Sequence, residues 1–310
     1  MTNGLEKVAM RMVEFQGMVG GRVSDGVKTT DVSITVVVPA MNEAANLPHV
    51  FARIPACVDE VILVDGNSSD DTVEVARSLR PDVRVVLQSG RGKGNALACG
   101  FAAASGDIIV MLDADGSTDP AEIPAFIAPL LEGADFAKGS RYAQGGGSAD
   151  ITPIRGLGNR ALGAVVNVLF GTRFTDLCYG YNAFWRSCLP HMHVTCDGFE
   201  VETLINIRVA RAGLNVAEVP SHEEERIHGE SNLNAFRDGR RVLATIIRER
   251  LHRRVKPSDD WRPEYRELGG MLREHQANQL AAGTKLQLQE VAAMNGAVPG
   301  RAIEVASMTA

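Results

Sequence analysis

No run of residues in this chain approaches the ~20 consecutive apolar positions that a bilayer-spanning helix requires, so a membrane-spanning anchor is not expected. Basic residues are not in excess: 32 Lys and Arg against 38 Asp and Glu leave a formal net charge of -6. That balance argues against a nucleic-acid binder acting through bulk positive charge. Cysteine is sparse and odd in number, five in 310 residues, which suits free thiols in a reducing compartment better than a disulfide scaffold. A basic start followed by an apolar run is missing as well, so no signal peptide is expected. No internal repeat is visible. These absences leave a cytoplasmic protein, soluble or held peripherally at the inner face of the membrane.

What is present is an alternation of strand-like and helix-like segments between residues 32 and 131. Ser33-Ile-Thr-Val-Val-Val-Pro39 is a β-branched run closed by proline. Asn42 then reads as the N-cap of a helix that turns Leu47, Val50, Phe51 and Ile54 inward. Strands are expected over 58–65, 83–88 and 107–113, and helices over 70–79, 95–104 and from Pro120 to about 131. Such alternation predicts an α/β fold with a mostly parallel, Rossmann-like central sheet flanked by helices. Ligands of such folds gather beyond the carboxyl ends of the strands. Beyond Arg141 the pattern loosens. Gln144-Gly-Gly-Gly-Ser148 reads as a flexible lid or hinge, with helices expected over 161–170, 200–212 and 237–254. Residues 1–31 read as a flexible leader, 32–254 as a single catalytic domain, and 255–310 as a weakly ordered tail.

The unusual polar residues fall where that geometry wants them. Pro39 to Glu43, Asp65 to Ser69 and Asp113 to Ser117 each follow the end of a separate predicted strand. Asp113 and Asp115, just past Ile108-Ile-Val-Met-Leu112, can converge on one hard divalent cation, Mg²⁺ or Mn²⁺, which would bridge two phosphate oxygens of a diphosphate. Asp65 at a strand end suits a base or ribose contact, while Asp119 suits capping of the helix that begins at Pro120. Cys188, His191, His193 and Cys196 are zinc-capable, but their spacing matches no common structural zinc site.

Taken in order, Pro39-Ala-Met-Asn-Glu43, Asp65-Gly-Asn-Ser-Ser-Asp70, Gly92-Lys-Gly94, Asp113-Ala-Asp115, Gly139-Ser-Arg141, Gly198-Phe-Glu-Val-Glu202 and Arg211-Ala-Gly213 resemble the motifs of family 2 glycosyltransferases. Within that family the chain is most similar to the dolichol-phosphate or polyprenyl-phosphate sugar synthase branch, over about residues 32 to 245. The resemblance implies a GT-A fold, a nucleotide-sugar donor, a divalent cation and inversion at the anomeric carbon. By position it implies donor contacts from Pro39, Asn42, Glu43, Asp65 and Lys93, and metal and diphosphate ligation by Asp113 and Asp115. Glu202 falls where the family places a catalytic base. Arg141 and Arg226 fall where it places cations facing the diphosphate or an acceptor phosphate, and His228 where some members add a metal ligand.

Two departures bear on specificity. Gly66 stands where the nucleotide motif usually has a second Asp, and Asn232 where lipid-phosphate synthases often carry Lys. The acceptor therefore stays open between polyprenyl phosphate and a sugar or small-molecule hydroxyl. A sugar nucleotidyltransferase is the alternative enzyme, but its Gly-rich phosphate loop should follow the first strand, where Pro39 to Glu43 stand instead. A dehydrogenase is disfavoured on the same ground. A non-catalytic nucleotide-sugar-binding protein is the third alternative, and the intact acidic residues speak against it. Finally, the basic helix over 237–254 carries Val242, Leu243, Ile246, Ile247 and Leu251 on one side. That pattern suits packing on the core, or peripheral contact with anionic lipid.

Overall fold

Residues with branched side chains fill both faces of a covered strand well, and Ile34-Thr-Val-Val-Val-Pro-Ala40 forms the buried strand β1 (Ile34–Ala40) on that principle. The structure is a computed structural model, and it describes residues 32–230 and 234–252. The expected leader (1–31), the tail (255–310) and the Ser231-Asn232-Leu233 tripeptide lie outside the described residues. A short α1 (Leu47–Phe51) follows β1. Then come β2 (Glu60–Asp65), α2 (Thr72–Leu79), β3 (Arg84–Leu87), α3 (Gly92–Ala103) and β4 (Ile108–Met111) in strict alternation. Asp119 accepts a hydrogen bond from the Ala121 amide at 2.9 Å and caps the turn at Pro120–Glu122 that leads into α4 (Ile123–Leu131).

The sheet continues with β5 (Phe136–Ser140), β7 (Asn182–Trp185) and β8 (Val216–Pro220), in the order β3-β2-β1-β4-β7-β5-β8. All neighbours are parallel except β7, which runs antiparallel to both β4 and β5. The mostly parallel sheet is as expected. β5 is a strand the sequence pattern hides, because Lys138, Gly139 and Ser140 look polar. Lys138 is nevertheless fully buried, donates to the Gly139 carbonyl at 3.0 Å and lies over the Phe174 ring. The order reverses between β1 and β4, so the crevice outside their carboxyl ends is the expected ligand position.

Two-residue strands β6 (Gly147–Ser148) and β9 (His222–Glu223) pair in parallel beside the main sheet. The Gln144–Ser148 segment is therefore tied down at its end, where free movement was expected. Helix α5 (Pro153–Phe170) starts eight residues before the expected position, since Thr152 and Pro153 form an N-cap and first-turn pair. A one-turn α6 (Leu189–Met192) precedes α7 (Val201–Arg211), and α8 (Ala235–Leu251) closes the described chain. Helices α5, α7 and α8 meet over Val166, Phe174, Leu177, Ile207, Val242 and Ile246. Each such fully buried side chain contributes about 1.5–3 kcal/mol, which suffices to seat α8 by its inner side. Among the described residues no helix is long and apolar enough to cross a membrane.

Candidate active site

The parallel register puts three loops on one edge. Ala40 lies opposite Asp65 and Val37 opposite Met111, and the Leu112 amide donates to the Val37 carbonyl. The chain therefore leaves β1, β2 and β4 side by side at the reversal point. Asp113 and Asp115 follow β4 directly, with Gly116 in a left-handed conformation (φ 78°) to turn the backbone. The Ser117 amide and hydroxyl donate to Asp115 Oδ1 at 3.0 and 2.7 Å, which fixes one face of that carboxylate.

Each aspartate is met by a cation from a distant part of the chain. Arg226 donates to Glu43 Oε1 at 2.9 Å and approaches Asp115 Oδ2 at 3.4 Å. Asn46 backs this arrangement, donating to Glu43 Oε2 at 2.6 Å and accepting from the His228 amide. Burial raises the Glu43 carboxyl above the usual range, although Asn46 and Arg226 act against it. Lys93 lies 2.7 Å from Asp113 Oδ1 and 2.8 Å from Glu202 Oε1. Burial alone would lower the Lys93 ammonium, but its two carboxylates outweigh that and raise it. Burial raises Glu202, which has only the one cation to offset it and feels Asp113 as well. One cation between two acids explains both directions.

Glycines make this meeting of remote segments sterically possible. A Cβ on Gly94 would lie 2.2 Å from the Cys196 carbonyl oxygen, and one on Gly92 2.1 Å from that of Asp197. The Gly92-Lys93-Gly94 turn thus presses directly on the 196–198 backbone, with the Gly94 amide donating to the Asp197 carbonyl. That contact sets Lys93 beside Glu202 in the first turn of α7, where the helix dipole also favours an acid. Gly94→Ala is accordingly expected to lower stability by about 3 kcal/mol, the upper end for overpacking against an obstacle that cannot swing away. A melting curve within a degree of wild type would contradict this packing.

The other candidates are placed differently. Pro39 and Asp65 sit at the ends of paired strands, and the Asp65 carboxylate accepts from the Ser68 amide at 3.3 Å. Asn42 is not the helix N-cap, a position that Asn46 holds. It adopts φ 59°, and its side chain accepts from the Ser69 amide at 2.7 Å, clamping the loops after β1 and β2 together. Asp70 accepts from the Thr72 and Ala44 amides just before α2, whose N-cap position is Asp71. Arg141 is buried between Asp176 and Glu223, at 2.7 and 3.0 Å, and stacks over Tyr179. Its guanidinium therefore organises the interior beside β9 in this arrangement. His228 stacks obliquely near His49. Among the described residues no three His, Cys, Asp or Glu converge as a metal cage. The Cys188 thiol is buried and donates to the Asp135 carbonyl.

Two aspartates without a cage still suit a hard cation. Mg²⁺ is usually held by one or two carboxylates plus substrate phosphates and water, and not by an all-protein shell. Asp113 and Asp115, which follow β4 at the edge beyond the strand ends, could supply that share.

The family follows from comparison with known sequences. A model of the family described as glycosyl transferase family 2 matches residues 35–192. The chain is a family 2 glycosyltransferase. The glycosyltransferase AglJ of Haloferax volcanii is 32% identical over 233 residues, 73% of each chain. The dolichol-phosphate mannosyltransferase of Pyrococcus furiosus is 31% identical over 209 residues, 64% of this glycosyltransferase and 59% of that protein. The expected kinship with the dolichol-phosphate branch is thus borne out, although the chain spans only about three fifths of that relative. Glucosyl-3-phosphoglycerate synthase from Mycobacterium tuberculosis, solved with Mn²⁺, UDP and glucosyl-3-phosphoglycerate, superposes with a TM-score of 0.57 at 26% identity. That match covers 76% of this glycosyltransferase and 88% of the synthase. The fold is GT-A, as expected.

Motif reasoning missed several residues of this site. Gly180 stands over the Lys93 cluster: a Cβ there would lie 2.7 Å from Lys93 Nζ and 3.0 Å from Asp113 Oδ2. A lone glycine between Tyr179 and Tyr181 was the available signal. Asp176 and Glu223 gave none, because their partner Arg141 is remote in sequence.

Proposed function

We propose that this glycosyltransferase moves a sugar from a nucleotide-diphosphate donor to polyprenyl phosphate, by a single displacement that inverts the anomeric carbon. The observation that supports it best is the Asp113–Lys93–Glu202 bridge, which joins the donor-side aspartate to an acceptor-side acid through one cation. Asp113 and Asp115 would hold Mg²⁺ or Mn²⁺, which when bound supplies Lewis-acid stabilisation to the departing diphosphate. The Mn²⁺ and UDP bound by the mycobacterial synthase support this assignment. Lys93 and Arg226, now paired with the two aspartates, would turn toward diphosphate oxygens and stabilise the same developing charge. Pro39, Asn42, Glu43 and Asp65 would frame the nucleoside. The acceptor is assigned from the dolichol-phosphate relative. A phosphate acceptor is already ionised and requires no base.

A second reading has its own support. Burial raises the Glu202 carboxyl above the ordinary carboxylate range, the direction that suits a general base for a hydroxyl acceptor. Glu202→Gln separates the two. Transfer to a polyprenyl phosphate is expected to survive within about tenfold, whereas transfer to a hydroxyl should fall by about 10²–10⁴-fold. The same variant carries a stability signature. A carboxyl whose folded pKa is raised lends its stability in acid and loses it as pH rises through that folded pKa. Glu202→Gln should therefore melt above wild type at neutral and alkaline pH, with the gap closing as pH falls toward the ordinary carboxylate range. A gap that widens on acidification would contradict the burial argument.

A further inference from the structure

Asn46 stands at the N-cap of α1, a position where asparagine ordinarily caps the helix. Its side chain makes no capping hydrogen bond among the described residues. The residue is only 2% exposed, and its amide is turned to other partners. Nδ2 donates to Glu43 Oε2 at 2.6 Å and to the His228 carbonyl at 3.1 Å, while Oδ1 accepts from the His228 amide at 2.9 Å. One buried amide therefore closes a two-bond ring with a single backbone position 182 residues away. With its remaining donor it also orients Glu43.

His228 belongs to a strap, residues 224–230, that leaves β9 and runs along the turn carrying Asp115. The Glu224 amide donates to the Ser117 carbonyl at 2.8 Å and the Ile227 amide to the Asp115 carbonyl at 3.3 Å. Ile227 lies over Gly116, where a Cβ would come within 2.5 Å of its Cδ1. The strap is thus fastened to the Asp115 turn at one end and to Asn46 at the other. Arg226 stands between those fastenings, against Glu43 and Asp115. Its Nε is buried and without a hydrogen-bond partner among the described residues. A guanidinium with a buried donor unused has a place for one more acceptor, and a phosphate oxygen fits it.

We infer that Asn46 is a positioning residue for Arg226. It holds the strap backbone and the Glu43 carboxylate together, so that the guanidinium turns toward the donor's diphosphate from a fixed base. The inference rests on the reading of Arg226 as a diphosphate contact. Its test is a double-mutant cycle on the full-length chain with Mn²⁺. The readout is the Kd of UDP, GDP or dTDP, whichever raises the melting temperature most. Asn46→Ala and Arg226→Gln should each weaken binding by about 10–100-fold, the usual range for hydrogen bonds to charged groups. In the Arg226→Gln background, Asn46→Ala should cost about threefold or less, because residues acting through one another are not additive. Losses that multiply in full overturn the inference while leaving Arg226 a diphosphate contact. If Arg226→Gln binds like wild type, that reading falls and the inference with it. Asn46→Asp gives an independent readout, and serves if the alanine variant does not fold. The new carboxylate cannot donate to Glu43 until the two share a proton. The ratio of its Kd to that of wild type should therefore fall toward one between about pH 8 and about pH 5.5. Asp115, Arg226, His49 and His228, the other charged or titratable groups beside the strap, are common to both proteins and drop out of the ratio. A ratio that stays flat across this range overturns the inference, since a merely structural loss would not recover in acid.

Discussion

Lys93→Met should reduce sugar transfer by about 10²–10³-fold, the usual loss when one preorganised charge donor is removed from a reacting centre. The side chain is close in length, so the change isolates the charge. Without the ammonium, Asp113 and Glu202 face one another with no cation between them, in a position where water reaches only Asp113 to any extent. Breaking a buried pair from one side costs about 3–5 kcal/mol, and here protonation of Glu202 caps that cost. The loss should therefore depend on pH. Glu202 is already raised with Lys93 present, and losing the cation raises it further. The variant should be close to wild type in acid and fall progressively below it as pH rises through the range where Glu202 must ionise. Parallel melting curves across pH would show that the bridge carries no such coupling.

Asp115→Asn should abolish transfer to any acceptor while leaving the fold intact. An amide oxygen can still accept from the Ser117 amide, so the turn is preserved. Arg226 keeps its 2.9 Å partner Glu43 and loses only the 3.4 Å contact with Asp115, both groups being about one fifth exposed. Such a partly screened pair contributes about 1 kcal/mol or less. What disappears is the negative charge that would share a divalent cation with Asp113, worth about 10²–10³-fold or more in rate. Substantial turnover of the variant in excess Mn²⁺ would remove Asp115 from the metal site.

The sheet was legible because β-branched runs and helical spacing declare themselves locally. Placement of Asp113, Asp115, Asp65 and Glu43 on one edge followed from parallel topology alone, since each stands at or shortly after the carboxyl end of a strand. What the sequence hides is pairing at a distance. Lys93 and Glu202 meet only because two glycines let α3 press on the 196–198 backbone, a contact that no local pattern encodes. Arg141 reads as a phosphate ligand in sequence, and only the fold brings Asp176 and Glu223 around it. Asn42 has the composition of a cap, but its left-handed backbone turns it into a clamp between two loops. β5 escapes notice because Lys138 is polar in sequence and apolar in surroundings.

The pairing of both aspartates with basic side chains bears on how a donor would bind. A cation alone must displace Lys93 and Arg226 from their carboxylates. A diphosphate alone meets Asp113 and Asp115 still charged. Arriving together, each re-pairs the groups the other releases, so metal and donor should bind synergistically. Thermal melting of the full-length chain with UDP-, GDP- and dTDP-sugars, each with and without Mn²⁺, measures that synergy directly. One donor should raise the melting temperature only when Mn²⁺ is present, and Asp115→Asn should erase the rise. A donor shift of equal size without metal, or one that survives Asp115→Asn, would contradict a metal-held diphosphate at Asp113 and Asp115.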